Sequence, residues 1–279
     1  MQIKPNRDTI GVVISDIRLD RPLSESQVTD LLQAWYDYQV LIVPDQPLSP
    51  EQLEAFTEQL GEIGDDPFLE PMPGQKHVLE LRREPDEKAV AFGGTWHSDW
   101  SFQAMPPSAT ILHAQTVPPV GGETLFADGF AAYEALPEDK KIELQNLRAI
   151  HSAKGPYGTD GFYATENSDR TMKIINSEKA HETQVHPLIR THPGSGRKAL
   201  YVNRVYTLGI EGMADDEAQS LIQELCAHAT QDEFVYRHVW QPDMLVMWDN
   251  RCTQHMALGG YDGHLRVMHR MTLRGEVPV

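Results

Sequence analysis

Short, unbroken apolar runs alternate with amphipathic stretches along this chain. Val12-Val13-Ile14 and Val40-Leu41-Ile42-Val43 contain no polar position, the pattern of strands buried on both faces. Between them Val28, Leu31, Leu32 and Trp35 recur at helical spacing behind Ser24-Glu25-Ser26-Gln27, which fits a capping box. A second helix is marked at both ends. Ser49 suits the N-cap, Pro50 the first helical position and Gln52 the N3 position, while Gly61 follows the last turn. Leu53, Phe56 and Leu60 give that helix its apolar face. Two more helices are predicted near residues 130–147, interrupted at Pro137, and near residues 215–228.

Strand signals fill most of the remainder. Residues 109–113 and 124–126 flank the turn cluster Pro118-Pro119-Val120-Gly121-Gly122. Residues 188–191 and 198–202 flank Pro193-Gly194-Ser195-Gly196, a hairpin signal. Residues 244–248 and 265–273 complete the set. The stretch 155–182 is polar and Gly-rich without clear periodicity, so it reads as a lid over a site. No internal repeat is visible. The expected class is mixed α+β, with two packed antiparallel sheets and flanking helices.

Composition narrows the partners. At 279 residues a single domain, 1–279, is sufficient. The net charge of −17, from 24 basic and 41 acidic residues, repels phosphate backbones and argues against nucleic acid. It also disfavours anionic small molecules unless cations are focused at the site. Cys226 and Cys252 are too few for a disulfide framework and fit a reducing cytoplasm. No apolar run approaches the roughly 20 residues that span a bilayer, and Met1-Gln2-Ile3-Lys4-Pro5 lacks a signal-peptide core. The expectation is a soluble, cytoplasmic protein without a membrane partner.

Candidate chemistry concentrates in three places. His97 and Asp99, in Gly94-Thr95-Trp96-His97-Ser98-Asp99, would project from one side of an extended segment. His255 lies far downstream, and Arg266 follows it. Two imidazoles and a carboxylate form the facial triad that holds ferrous iron and leaves coordination positions open. His97 and Asp99 could instead be a buried His oriented by its neighbour, and His255 alone reads as structural; the joint set favours metal. In the stretch 265–273, Arg266, Met268, Arg270 and Thr272 share one face, with the two guanidinium groups about 13 Å apart. Such a face can hold two anions, although both cations could simply pair with surface carboxylates. Thr124 carries no signal of its own, Trp248 and Tyr206 read as core or pocket-wall aromatics, and Cys252 as a free buried thiol.

Three blocks carry a resemblance: Trp96-His97-Ser98-Asp99, Gly121-Gly122-Glu123-Thr124-Leu125, and Trp248-Asp249-Asn250-Arg251 through His255 to Arg270. They resemble the family of taurine dioxygenase and the phenoxyacetate-herbicide dioxygenases, the iron(II)/2-oxoglutarate oxygenases. The resemblance covers nearly the whole chain. It implies a double-stranded β-helix, or jelly roll, decorated with helices. It implies Fe(II) on His97, Asp99 and His255, with O2 and 2-oxoglutarate as co-substrates and succinate and CO2 as products. Arg266 and the Thr124 hydroxyl would hold the distal carboxylate of 2-oxoglutarate. Arg270 would grip the anionic group of a small organic substrate, a sulfonate, sulfate ester or carboxylate, with Tyr206 in the pocket wall. By family analogy the chain would form dimers or tetramers. The departures fall where substrate is chosen: the stretch 64–71 carries neither the His nor the Tyr of the taurine enzyme, and Gly93 stands where that enzyme has Asn. A cupin-like isomerase or zinc hydrolase could use the same triad but would not need Arg266 and Thr124. A catalytically silent sensor is a further alternative.

Overall fold

Apolar runs with no polar position need two dry faces, and the fold supplies them. The computed structural model describes residues 1–6, 9–166 and 170–279. Strands Val40–Val43, Leu245–Asp249, Ala109–Thr116 and Arg266–Leu273 lie side by side in a seven-stranded sheet. Leu79–Arg83 closes one edge, and Val12–Ser15 followed by Gln2–Pro5 the other. Successive residues face opposite cores. Leu41, Val43, Ile111, Leu245, Met247, Met271 and Leu273 pack with Leu31, Trp35, Leu53 and Phe56, which come from helices Glu25–Tyr38 and Pro50–Leu60. Val40, Ile42, Leu112, Val246, Trp248 and Met268 face the other way and meet Phe126 and Trp240. Phe126 belongs to Thr124–Asp128, the central strand of a three-stranded sheet flanked by Val235–His238 and Thr253–Ala257. The site lies on this second face.

Local signals set the helix ends. Ser24 and Ser49 both accept from the backbone at N3, and Gln27 and Gln52 complete reciprocal capping boxes. The stretch expected near 130–147 is two helices, Gly129–Glu134 and Glu138–Leu144, divided at Pro137. Asp215–Ala229 is one helix. Ile189–Thr191 and Lys198–Leu200 pair antiparallel across their turn. Strands Arg148–Ser152, Thr183–Pro187 and Thr207–Ile210, which lack strong apolar runs, form a separate small sheet. The stretch 155–182 is more regular than its composition suggests. It contains helical turns at Phe162–Thr165 and Glu178–His181 and begins inside Lys154–Tyr157; residues 167–169 lie outside the described residues. Tyr157 anchors it, buried and stacked on Phe68 with ring centres 4.7 Å apart. Among the described residues no helix is long and apolar enough to cross a membrane.

Three buried histidines make folding sensitive to mild acid. Burial pushes His151 down to about 3, and His186 and His238 down to about 4. In the unfolded chain each titrates near about 6.5. Below that pH the unfolded state takes up protons that the native state refuses, so stability present above about 6.5 is lost as pH falls toward 4. Thermal unfolding should therefore shift downward between pH 6.5 and 4, ahead of most carboxylate titration. A Tm unchanged from pH 7 to 5 would contradict this account.

Candidate active site

His97 and His255, 158 positions apart in the sequence, exchange backbone hydrogen bonds of 3.1 and 2.8 Å as an isolated β-bridge. The chain then turns at Trp100, whose φ is +46°, and the Asp99 carboxylate lies close to both rings. The extended segment expected around His97 is thus a single bridge followed by a turn. Asp99 Oδ1 lies 3.6 Å from His97 Nε2, and Asp99 Oδ2 lies 3.8 Å from His255 Nε2. All three residues are buried, and one ligand atom from each falls within 4.8 Å of the others. His97 Nδ1 sits 2.7 Å from the Thr95 carbonyl oxygen, which can only accept, so Nδ1 carries the proton and Nε2 presents its lone pair.

The carboxylate is held from behind by a chain of donors. Thr110 Oγ1 donates to Asp99 Oδ2 at 2.6 Å and accepts from Asn250 Nδ2 at 2.9 Å. Trp248 in turn donates its indole N–H to Asn250 Oδ1 at 3.0 Å and packs its ring on His255, centres 4.7 Å apart. Burial alone would raise the Asp99 carboxyl, but Arg270, His255 and His97 hold it well below the usual range. Burial, then the charge of His97, pushes His255 down to about 3 against the pull of Asp99. One ionised carboxylate and two imidazoles with accessible lone pairs fit a divalent iron with open positions.

A second cluster, His192, Asp249 and Cys252, also brings its ligand atoms within 4.8 Å. Its lone pairs are already committed. Arg251 donates twice to Asp249, at 2.8 and 2.6 Å, and His192 Nε2 lies 2.9 Å from Asp249 Oδ2. His192 Nδ1 accepts from the Ser195 backbone at 3.0 Å. A metal cation there would face the Arg251 guanidinium, so the cluster is a buried clamp. Burial raises the Cys252 thiol well above its usual range, which leaves it protonated and inert.

The strand Arg266–Leu273 alternates as its sequence indicates. Met268 enters the core shared with Trp240 and Phe126, while Met271 and Leu273 enter the helix-side core. Arg266 is half-buried, lies 5.9 Å from the Tyr261 ring centre, and has no carboxylate partner among the described residues. Burial lowers its pKa, opposed only by Tyr261, so the cation is desolvated without compensation. Gly122 sits at φ +73°, and a side chain there would crowd Pro118 Cγ at 3.2 Å, next to Tyr261 and Arg266. Thr124, two residues on, is buried and its hydroxyl accepts from Trp240 Nε1 at 3.0 Å. The hydroxyl proton remains available to an anion.

Arg270 is held differently from Arg266. Nη1 donates to Asp99 at 3.2 Å, Nε to Asp66 Oδ1 at 3.1 Å, and the guanidinium lies 5.3 Å from the Trp100 ring centre. Only Nη2 is buried without a partner. Asp66 also accepts from Trp100 Nε1 at 2.6 Å and from Thr272 Oγ1 at 3.0 Å. This carboxylate escapes sequence reasoning because 204 positions separate it from Arg270. Thr110 and Trp240 escape it equally, since an ordinary strand threonine and a core tryptophan carry no local signal.

A cavity of about 860 Å³ opens beside the triad. His97 and Asp99 form part of its wall, with Trp100, Tyr157, Tyr163 and Tyr206. Tyr206 stands edge-on to His97, ring centres 6.3 Å apart, and lines the cavity. Gly93 lies in the same wall, and a side chain there would meet His97 Cε1 at 3.4 Å. Arg270 reaches this wall electrostatically, its charge acting on Tyr157 and Tyr206. Gly122 ties the Arg266 region to the wall, its backbone N–H donating to the Gly259 carbonyl at 3.0 Å.

Comparison with known proteins places this geometry in a family. Residues 2–272 match the model of the taurine catabolism dioxygenase TauD, TfdA family. The chain is 36% identical over 257 residues to the alpha-ketoglutarate-dependent 2,4-dichlorophenoxyacetate dioxygenase of Cupriavidus pinatubonensis, covering 87% of this chain and 86% of that protein. It is 31% identical over 281 residues to the alpha-ketoglutarate-dependent sulfate ester dioxygenase of Pseudomonas putida, covering 100% and 91%. A crystal structure of a taurine dioxygenase from Burkholderia xenovorans superimposes with a TM-score of 0.82 at 30% identity, covering 100% of this chain and 90% of that one. Sequence and fold agree with a buried His97, Asp99 and His255 set whose ligand atoms converge, and the chain belongs to the TauD/TfdA family and is an iron(II)- and 2-oxoglutarate-dependent dioxygenase.

Proposed function

We propose that this enzyme hydroxylates a small organic substrate bearing an anionic group, a sulfonate, a sulfate ester or an aryloxy or alkyl carboxylate. The observation that carries the reading is the aromatic cavity opening directly on His97 and Asp99. His97, Asp99 and His255 would hold the iron, and Arg266 with the Thr124 hydroxyl would hold the distal carboxylate of 2-oxoglutarate. Bound iron supplies the redox chemistry that couples oxidative decarboxylation of 2-oxoglutarate to hydroxylation. The protein's share is positioning. Thr110 and Arg270 fix the Asp99 carboxylate, the Thr95 carbonyl fixes the His97 ring, and the aromatic wall excludes water. Arg270 would meet a ligand's anionic group through Nη2, the guanidinium nitrogen without a partner, and Tyr206 would line the substrate's path.

The two facing sheets would form the double-stranded β-helix of one dioxygenase domain, 1–279. The stretch 155–182, which contributes Gly155, Pro156, Tyr157, Phe162 and Tyr163 to the cavity wall, would act as its lid. The enzyme would work in the cytoplasm as a dimer or tetramer, with neither nucleic acid nor membrane as partner. Succinate release that depends on iron, 2-oxoglutarate and a substrate from a panel of sulfonates, sulfate esters, aryloxyalkanoates and simple carboxylates tests the reading. No substrate-stimulated succinate across the whole panel would overturn it.

A further inference from the structure

Strand alternation continues past the end of Val235–His238: His238 and Trp240 are buried, and Val239 between them is exposed. His238 pairs with Thr124 across the sheet, which brings all three side chains to one face. The His238 ring meets the Trp240 indole at right angles, ring centres 4.8 Å apart, and the Tyr236 hydroxyl lies 3.1 Å from His238 Nδ1. Trp240 also packs in the cluster of Phe126, Trp248 and Met268, and Met268 shares its strand face with Arg266. Packing thus fixes the indole plane. Its one N–H is spent on Thr124 Oγ1 at 3.0 Å. An indole nitrogen can only donate, so the direction of this bond is settled. It occupies a lone pair of the hydroxyl and leaves the hydroxyl's own proton for another acceptor. No described residue accepts that proton.

We propose that Trp240 is a positioning residue for the co-substrate, its N–H turning the Thr124 hydroxyl so that the proton is presented to the distal carboxylate of 2-oxoglutarate. A threonine hydroxyl left to itself rotates to suit any neighbour. One that already accepts from a fixed donor has less freedom to lose when an anion arrives. The indole also polarises the oxygen it touches, which strengthens the bond the hydroxyl donates. Arg266 would supply charge to the carboxylate, whereas Trp240 supplies direction through Thr124. The inference rests on the reading that puts Arg266 and Thr124 at that carboxylate, and its test separates the two.

The experiment titrates the iron(II)-loaded protein under nitrogen and reads the visible absorbance of the iron–keto-acid chelate, so no turnover intervenes. Two ligands are compared: 2-oxoglutarate, and 2-oxovalerate, which keeps the chelating end and lacks the distal carboxylate. Trp240→Phe should weaken 2-oxoglutarate about fivefold and leave 2-oxovalerate and iron within about twofold. Replacing Trp240 by benzothienylalanine, which keeps the fused rings and deletes only the N–H, should reproduce the loss with the core intact. In a Thr124→Val background neither replacement should weaken 2-oxoglutarate further, because the acceptor has gone. Unchanged 2-oxoglutarate affinity in the benzothienylalanine protein overturns the proposal. So does an equal loss of both keto acids, which would make Trp240 a packing residue only, or a loss that adds to that of Thr124→Val. A wild type that binds the two keto acids equally refutes the carboxylate site of Arg266 and Thr124, and the role of Trp240 with it. A wild type that prefers 2-oxoglutarate but is indifferent to the Trp240 N–H leaves that site standing and removes Trp240 alone.

Discussion

Asp99→Asn is expected to weaken iron binding by more than about 100-fold, beyond the 10–100-fold typical of losing a residue that merely orients a ligand. The substitution keeps the shape of the side chain and an oxygen for the Thr110 hydroxyl, but removes the one negative charge that a divalent ion meets between two neutral imidazoles. Iron-dependent succinate release should disappear with the metal. The comparison that gives the result meaning is Thr110→Val. It removes the donor to Asp99 Oδ2 and leaves all three ligands, so its loss should stay within about 10–100-fold. Iron affinity in Asp99→Asn equal to that of the wild type would sink the assignment. Unfolding must be followed in parallel, because Arg270 loses a buried partner, and breaking such a pair costs about 3–5 kcal/mol.

The second large effect concerns Arg266→Ala. A charge-assisted contact to a carboxylate is worth about 1.5–3 kcal/mol, so the dissociation constant for 2-oxoglutarate should rise roughly 10–150-fold. Stability should behave in the opposite way to that of Asp99→Asn. Arg266 has no carboxylate partner among the described residues and is desolvated, so its removal breaks no ion pair and should leave Tm level or slightly raised. Iron affinity should not move. A variant that binds 2-oxoglutarate like the wild type would remove Arg266 from the co-substrate site. Loss of iron and 2-oxoglutarate together would instead place it in the metal support.

Much of the site was legible because its chemistry is tied to residue type. Only certain side chains can ligate iron, and the spacing of His97 and Asp99 survives any packing. The alternation that puts Arg266 and Arg270 on one face is fixed by strand geometry, and the structure keeps it. Capping boxes at Ser24 and Ser49 were equally readable, since every contact lies within four residues. The strands at 148–152, 183–187 and 207–210 were not, because they are completed by pairing with one another and by a core drawn from several other segments, among them Leu136, Leu200 and Leu225.

By itself, then, the sequence determined the donor set, the helix ends, the face shared by the two arginines and the anionic character of the whole chain. These depend on covalent geometry and on neighbours a few residues away. Folding in three dimensions decided what each cation is free to do. Arg270 is occupied by Asp66, a partner 204 residues distant, while Arg266 has no carboxylate partner among the described residues. Electrostatic work depends on which opposite charge lies within a few ångströms, and that distance exists only once remote segments have packed together.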